Sequence, residues 1–153
     1  ATVFMIIIGA FVFIPFMSLT ELPAQLVTIL TSLPIGEIGI LLIVVLIYMF
    51  LGMFLEAMAM LVLTIPVVIP IAVALDWDLI WFGIIVVIVL EMGMISPPVG
   101  INVFIVKSIA QDVPMSTIFN GIWPFWFAMA AMIGLLIVFP QIASYLPQAI
   151  VGG

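Results

Sequence analysis

Long apolar runs separated by short polar interruptions set the pattern of this chain. No charged residue falls within 1–20, 38–55, 57–75 or 113–153. About 20 residues of helix cross the roughly 30 Å of bilayer hydrocarbon, so several of these runs are long enough to span. The runs are continuous, whereas the strands of a membrane barrel alternate apolar and polar over segments of about 10 residues. The pattern predicts an all-α polytopic membrane protein.

Residues 2–18, TVFMIIIGAFVFIPFMS, form a first spanning helix with Pro15 as a kink near its end. In 19–33, Leu22, Leu26, Ile29, Leu30 and Leu33 share one helical face, while Glu21, Gln25, Thr28 and Ser32 lie off it. That describes a short amphipathic helix at the membrane surface or, equally, a continuation of the first helix. LPIGE, 33–37, is a turn. An apolar helix over 38–50 would be about 20 Å long, short of the hydrocarbon thickness. A second helix over 60–75 carries Pro66 and Pro70. Two short helices around LGMFLEAMA predict a re-entrant hairpin, 38–75, whose tip, 52–57, stops at membrane depth. The competing reading is a pair of ordinary spans with Glu56 at a membrane boundary.

DWD, 76–78, is a water-exposed loop, and Asp78 is placed to cap the helix that follows over 79–94. Glu91 lies in the last turns of that helix. ISPPVG, 95–100, interrupts it, and the helix resumes over 101–110 before the QDVP turn, 111–114. Ser116 or Thr117 starts the final segment, whose apolar body is 123–140. Trp123, Phe125, Trp126 and Phe127 form an aromatic belt at one membrane interface, with Tyr145 near the other.

Composition sharpens this picture. The chain is 69% hydrophobic and 5% charged, against about 25% charged in soluble domains. It has no cysteine and no histidine, which removes thiolate chemistry, the commonest general base and the commonest metal ligand. The net charge is −6 and Lys107 is the single basic residue. Nucleic acid is excluded as a partner, because phosphate binding needs Lys and Arg; anionic lipid recognition has no support either. No basic segment precedes the first span, so no signal peptide is expected. The opening directly on a span suggests the C-terminal part of something larger.

The break in the greasiest part of the chain carries the chemistry. In lipid each unsatisfied backbone group costs several kcal/mol, so irregular backbone survives only where it is buried in protein or lines a wet cavity. Pro97 and Pro98 cannot donate, and residues preceding proline leave the α region. The helix must stop near Ile95 or Ser96 and can restart after Gly100. One half then presents free carbonyls and the other free amides. Secondary transporters build ion and substrate sites from discontinuous helices in this way. A functionless proline kink fits two adjacent prolines poorly when Gly93, Gly100 and Ser96 surround them.

GMFLEAMAML, TIPVVIP, DLIWFGII, MGMISPPVGINVFIV and IWPFW, in that order through residues 40–147, resemble the large permease subunit of tripartite ATP-independent periplasmic (TRAP) transporters. The resemblance implies one repeat of an elevator-type ion transporter fold. Residues 1–33 would be a scaffold helix and its arm. Residues 34–115 would be half of a transport domain, with the hairpin at 38–75 and the broken helix at 79–113, and residues 116–153 a C-terminal transmembrane helix and tail. It further implies a bacterial inner-membrane location and sodium-driven import of a carboxylate such as a dicarboxylate or sialic acid. The implied partners are a small membrane (Q) subunit, a periplasmic substrate-binding protein and the N-terminal half of the same permease. Sodium is the coupling ion and no other cofactor is implied. The sodium and substrate role carries onto Gly52, Met53 and Glu56 at the tip, and onto Ser96, Pro97, Pro98, Val99, Gly100 and Asn102 at the break. The family often has Asp where Glu56 stands, and a neutral residue where Glu91 stands.

Several residues support two readings. Glu56 binds sodium directly or caps and braces the hairpin tip. Glu91 tunes the cation site, takes up a proton, or pairs with Lys107. Carboxylates within a membrane protein default to a functional hypothesis. Ser96 and Asn102 supply ligands, or only satisfy freed backbone. Thr64 is expected to bond back to its own helix, and Asp76, Asp78 and Asp112 to be solvated. An enzyme is disfavoured: Ser96 has no histidine, Lys107 lies about three turns downstream, and no motif supports an acidic pair of Glu56 with Glu91. A stand-alone sodium- or proton-coupled carboxylate transporter remains an alternative, followed by an ion channel.

Overall fold

The computed structural model describes residues 2–145. They form seven helices: α1 (Thr2–Leu19), α2 (Leu22–Ser32), α3 (Gly36–Gly52), α4 (Ala57–Ala74), α5 (Leu79–Ile95), α6 (Ile101–Ile109) and α7 (Met115–Val138). No strand occurs among the described residues, and the tail expected beyond 145 lies outside them. α4 and α7 are long and apolar enough to cross a membrane, and α1 with α2 qualifies as one bent span. The chain is an all-α polytopic membrane protein.

α5 is the centre of the packing. Apart from Glu91 it is apolar throughout, and a helix of that kind is mostly covered; Ile80, Val87 and Glu91 leave one face open. Trp81, Phe82, Ile85, Val89, Leu90 and Met92 are all buried. Leu41, Val44 and Tyr48 of α3 cover one side, Met60, Val68 and Ala72 of α4 another, and Ile133 and Leu136 of α7 a third. α1 and α2 pack on the outer side of α4. The outward face of α1 is bare, with Phe4, Met5, Phe11 and Val12 each more than 70% exposed, as expected of a surface that meets lipid or protein rather than water.

α2 is a separate helix and not a continuation of α1. The two are bent by 66°, and Glu21 at the joint has left-handed backbone, φ 53, a conformation that ends a helix. The first hairpin arm is longer than its sequence pattern suggests. α3 has 17 residues, about 26 Å of helix, because it takes in Gly36 and Glu37 at one end and Leu51 and Gly52 at the other. α4 begins at Ala57 rather than Met60, since Glu56 starts it. The tip shrinks to Met53, Phe54, Leu55 and Glu56. Likewise α7 begins at Met115, with Pro114 at the cap position and no side-chain cap.

The 76–78 loop behaves as its sequence suggests. Asp78 Oδ1 accepts from the amides of Ile80 at 2.8 Å and Trp81 at 2.9 Å, satisfying donors that the first turn leaves free. Trp81 then reaches across to α7, where its Nε1 donates to the carbonyl of Leu136 at 2.7 Å. That carbonyl is free because the residue four positions on is Pro140, which has no amide hydrogen.

Candidate functional site

The interruption of the central helix is built from its prolines outward. Pro97 and Pro98 deny hydrogen-bond partners to the carbonyls of Gly93 and Met94, four residues earlier. The chain responds in steps. The Ser96 amide turns to the Gly93 carbonyl at 3.0 Å. This leaves the Met92 carbonyl open, and the Ser96 hydroxyl donates to it at 2.6 Å. Ser96 itself is extended and ends α5. The Pro97–Pro98 bond is cis. Gly100 is left-handed, φ 58, and starts α6; a side chain there would also lie 3.1 Å from the Ser96 carbonyl oxygen, so two independent constraints require glycine.

The outcome is the dipolar arrangement that the sequence suggests. Among the described residues no backbone amide pairs with the carbonyls of Met94, Ile95 or Ser96, and the amides of Ile101 and Asn102 likewise lack backbone partners. The first α6 amides to bond are those of Val103 and Phe104, both to Gly100. Unpaired carbonyls at Met94 to Ser96 thus end one helix, and unpaired amides at Ile101 and Asn102 begin the next. Carbonyls suit a small cation, and amides at a helix start suit a carboxylate. Among the described residues no group of three or more acidic side chains is placed to hold a metal ion.

The hairpin tip meets this break. Gly52, last residue of α3, lies against Gly93 of α5, three residues before Ser96. A Cβ on Gly93 would fall 2.8 Å from the Gly52 Cα and 2.9 Å from the Met49 carbonyl oxygen, so the backbones touch. The two arms of the hairpin are themselves joined by Tyr48 and Thr64. The Thr64 hydroxyl donates to the Met60 carbonyl at 2.8 Å, the back-bonding expected of it. Its one hydrogen being so used, the Tyr48 hydroxyl is the donor in their mutual hydrogen bond.

The candidate side chains divide. Gly52 and Gly100 hold the backbone geometry. Ser96 is 3% exposed, and its hydroxyl is bonded on both sides: it donates to Met92 and accepts from Trp126 Nε1 at 3.0 Å. Pro97 and Pro98 are exposed, and Val99 and Asn102 half-buried. Met53 is half-buried beside Gly52. Glu56 is exposed, and its Oε2 accepts from the Ala59 amide at 3.2 Å, the cap-and-brace geometry. Glu91 is exposed. It does not pair with Lys107. The Lys107 Nζ instead donates to the carbonyls of Gln111 at 2.6 Å and Val113 at 2.8 Å, because free carbonyls beyond the α6 C-terminus are the nearer attraction for a cation. Asp76, Asp78 and Asp112 are exposed, as expected.

Two residues escaped the sequence reading. Trp126 differs from its neighbours: Trp123, Phe125 and Phe127 are exposed, while Trp126 is half-buried and turns inward to Ser96. An indole N–H seeks a partner when covered, and an aromatic cluster in sequence does not reveal which ring will find one. Tyr48 carried no signal beyond a lone hydroxyl inside an apolar run.

The arrangement defines a polytopic helical membrane protein built around an interrupted central helix, a transport-permease plan. Residues 1–142 match the family model described as "Tripartite ATP-independent periplasmic transporter, DctM component", and the chain belongs to that family of inner-membrane transport permeases. It is 30% identical over 74 residues to the sialic acid TRAP transporter permease protein SiaT of Haemophilus influenzae, covering 48% of this chain and 12% of that protein. It is 30% identical over 75 residues to the sialic acid TRAP transporter large permease protein SiaM of Vibrio cholerae, covering 49% and 17%. It is 32% identical over 71 residues to the C4-dicarboxylate TRAP transporter large permease protein DctM of Rhodobacter capsulatus, covering 46% and 16%. The matched part thus spans less than a fifth of each of these relatives.

Proposed function

We propose that this chain is part of the large permease of a sodium-driven importer of small organic carboxylates. A periplasmic binding protein delivers the substrate, a small membrane subunit accompanies the permease, and the N-terminal half of the same permease supplies the other half of the site. The observation that carries this reading is the break at 96–100, with unpaired carbonyls before it and unpaired amides after it, held against the tip of the α3–α4 hairpin. Sodium would be coordinated by the carbonyls of Met94 to Ser96, with the tip around Met53 beside them. The amides of Ile101 and Asn102, with the Asn102 carboxamide, would receive a substrate carboxylate. In an elevator mechanism residues 34–115 travel as half of the moving domain against a scaffold that includes α1, with α2 as the joint. Glu56 serves this by starting α4 and fixing the tip.

The test is uptake of labelled carboxylates by the intact parent permease, reconstituted in liposomes with its small subunit. The reading requires that uptake need both an inward sodium gradient and the binding protein. Sodium-driven uptake without the binding protein would identify a stand-alone carrier, and passive ion flux without saturable uptake a channel.

A further inference from the structure

Ser96 is the buried polar residue of the described chain, and both of its side-chain bonds bear on how the central helix ends. Its hydrogen goes to the Met92 carbonyl, 2.6 Å away, so it can only accept from the Trp126 indole, 3.0 Å away. Trp126 lies on α7, 30 residues further along. Among the described residues it is the one side chain outside α5 and α6 that hydrogen-bonds to the break. α7 is also fixed at its other end, where Trp81 donates to Leu136. Two indoles, one on each helix, therefore pin α7 to α5, and the position of Trp126 is set by both. The carbonyls of Met94, Ile95 and Ser96, which have no backbone partner, hang from the backbone that this hydroxyl anchors.

We propose that Trp126 is a positioning residue for the helix break: through Ser96 it holds the carbonyl-bearing end of α5, so that α7 helps set the affinity of the break for its coupling cation. The cation part of this inference rests on the sodium reading given above. Without the indole, the Ser96 hydroxyl keeps its bond to Met92 but loses what restrains it laterally. The three carbonyls then sample more orientations, and coordination, which needs them convergent, weakens.

The experiment uses the full permease with its small subunit and four variants: Trp126→Phe, Ser96→Ala, both together, and Phe125→Leu as a control at a neighbouring exposed ring that does not stack on Trp126. Two quantities are read: amide hydrogen exchange over 93–103, and the sodium concentration that half-saturates uptake. Trp126→Phe should speed exchange in that segment and raise half-saturating sodium about three- to tenfold, the loss of one hydrogen bond. Ser96→Ala removes the same bond from its other side and carries the test if the tryptophan variant does not fold. The double variant should be no worse than the worse single one, because both act through one contact. Phe125→Leu should match the wild type. Unchanged exchange at the break, or a Trp126→Phe effect equally large on the Ser96→Ala background, overturns the proposal. Wild-type uptake that ignores sodium overturns the sodium reading instead, and exchange alone then decides the positioning role.

Discussion

Gly52 and Gly93 touch backbone to backbone, the Cβ that Gly93 lacks falling 2.8 Å from the Gly52 Cα. This contact lets the hairpin tip rest on the central helix just before its break. Gly93→Ala should therefore destabilise the permease by about 1–3 kcal/mol through overpacking, since backbone cannot yield as a flexible side chain would. Gly121 and Gly134 of α7 have open space where a Cβ would lie. Alanine at either should be neutral or stabilise by about 0.5–1 kcal/mol, the ordinary helix preference. Thermal unfolding in detergent ranks the three, and equal behaviour would mean that the helices do not cross at Gly93.

The hairpin arms are tied by the Tyr48 hydroxyl, which donates to Thr64. Tyr48→Phe should cost about 0.6–1.7 kcal/mol, the range for hydrogen bonds between membrane helices. Thr64→Val should cost more, because it strands a buried phenol that has lost its acceptor. Denaturation of the two variants side by side gives the order.

Trp81 fills the carbonyl that Pro140 leaves open on Leu136. Trp81→Phe keeps most of the ring and removes only the donor, so the Leu136 carbonyl goes unsatisfied, at a cost of about 1–3 kcal/mol. Adding Pro140→Ala should return part of that loss, since an amide hydrogen then becomes available to Leu136. No recovery in the double variant would show that the carbonyl is satisfied by some other route.

Lys107 donates to Gln111 and Val113, so neutralising Glu91 breaks no ion pair. Glu91→Gln should leave unfolding within about 0.5 kcal/mol of wild type, as for an ordinary exposed position. Lys107→Met should cost about 0.3–1 kcal/mol by uncapping the turn after α6. A large loss from Glu91→Gln that Lys107→Met reproduces would restore the pairing.

Much of the fold is legible in the sequence because membrane burial leaves few choices. Uncharged runs mark helices, Asp78 marks a helix start, and the prolines of 97–98 dictate where the central helix ends and which carbonyls go free. Those are local consequences of backbone chemistry. Partner choice is less legible. Lys107 had two electrostatic options, a carboxylate and a set of carbonyls, and only the path of the chain after α6 makes the carbonyls nearer. Trp126 sits in an aromatic cluster whose members look alike until packing turns one ring inward. The first hairpin arm reads as shorter than it is because glycine and glutamate look like breakers, whereas Gly36 and Gly52 are helix ends and Gly52 is a contact point. The nine candidate positions at tip and break follow from the interruption and the family pattern. That Gly52 and Ser96 hold the backbone, one by contact and the other by bonding on both sides, emerges only in three dimensions.

In the function proposed above, the tip and the break form one sodium site. The chain has no cysteine, so single reporters at Met53→Cys, on the tip, and Asn102→Cys, on the break, can be read in the full permease once any other cysteines are replaced. Modification by a water-soluble thiol reagent is followed as sodium is raised at constant ionic strength against choline. Sodium should slow modification at both positions with the same half-protecting concentration. Protection at one position alone, at neither, or at clearly different sodium concentrations would contradict it.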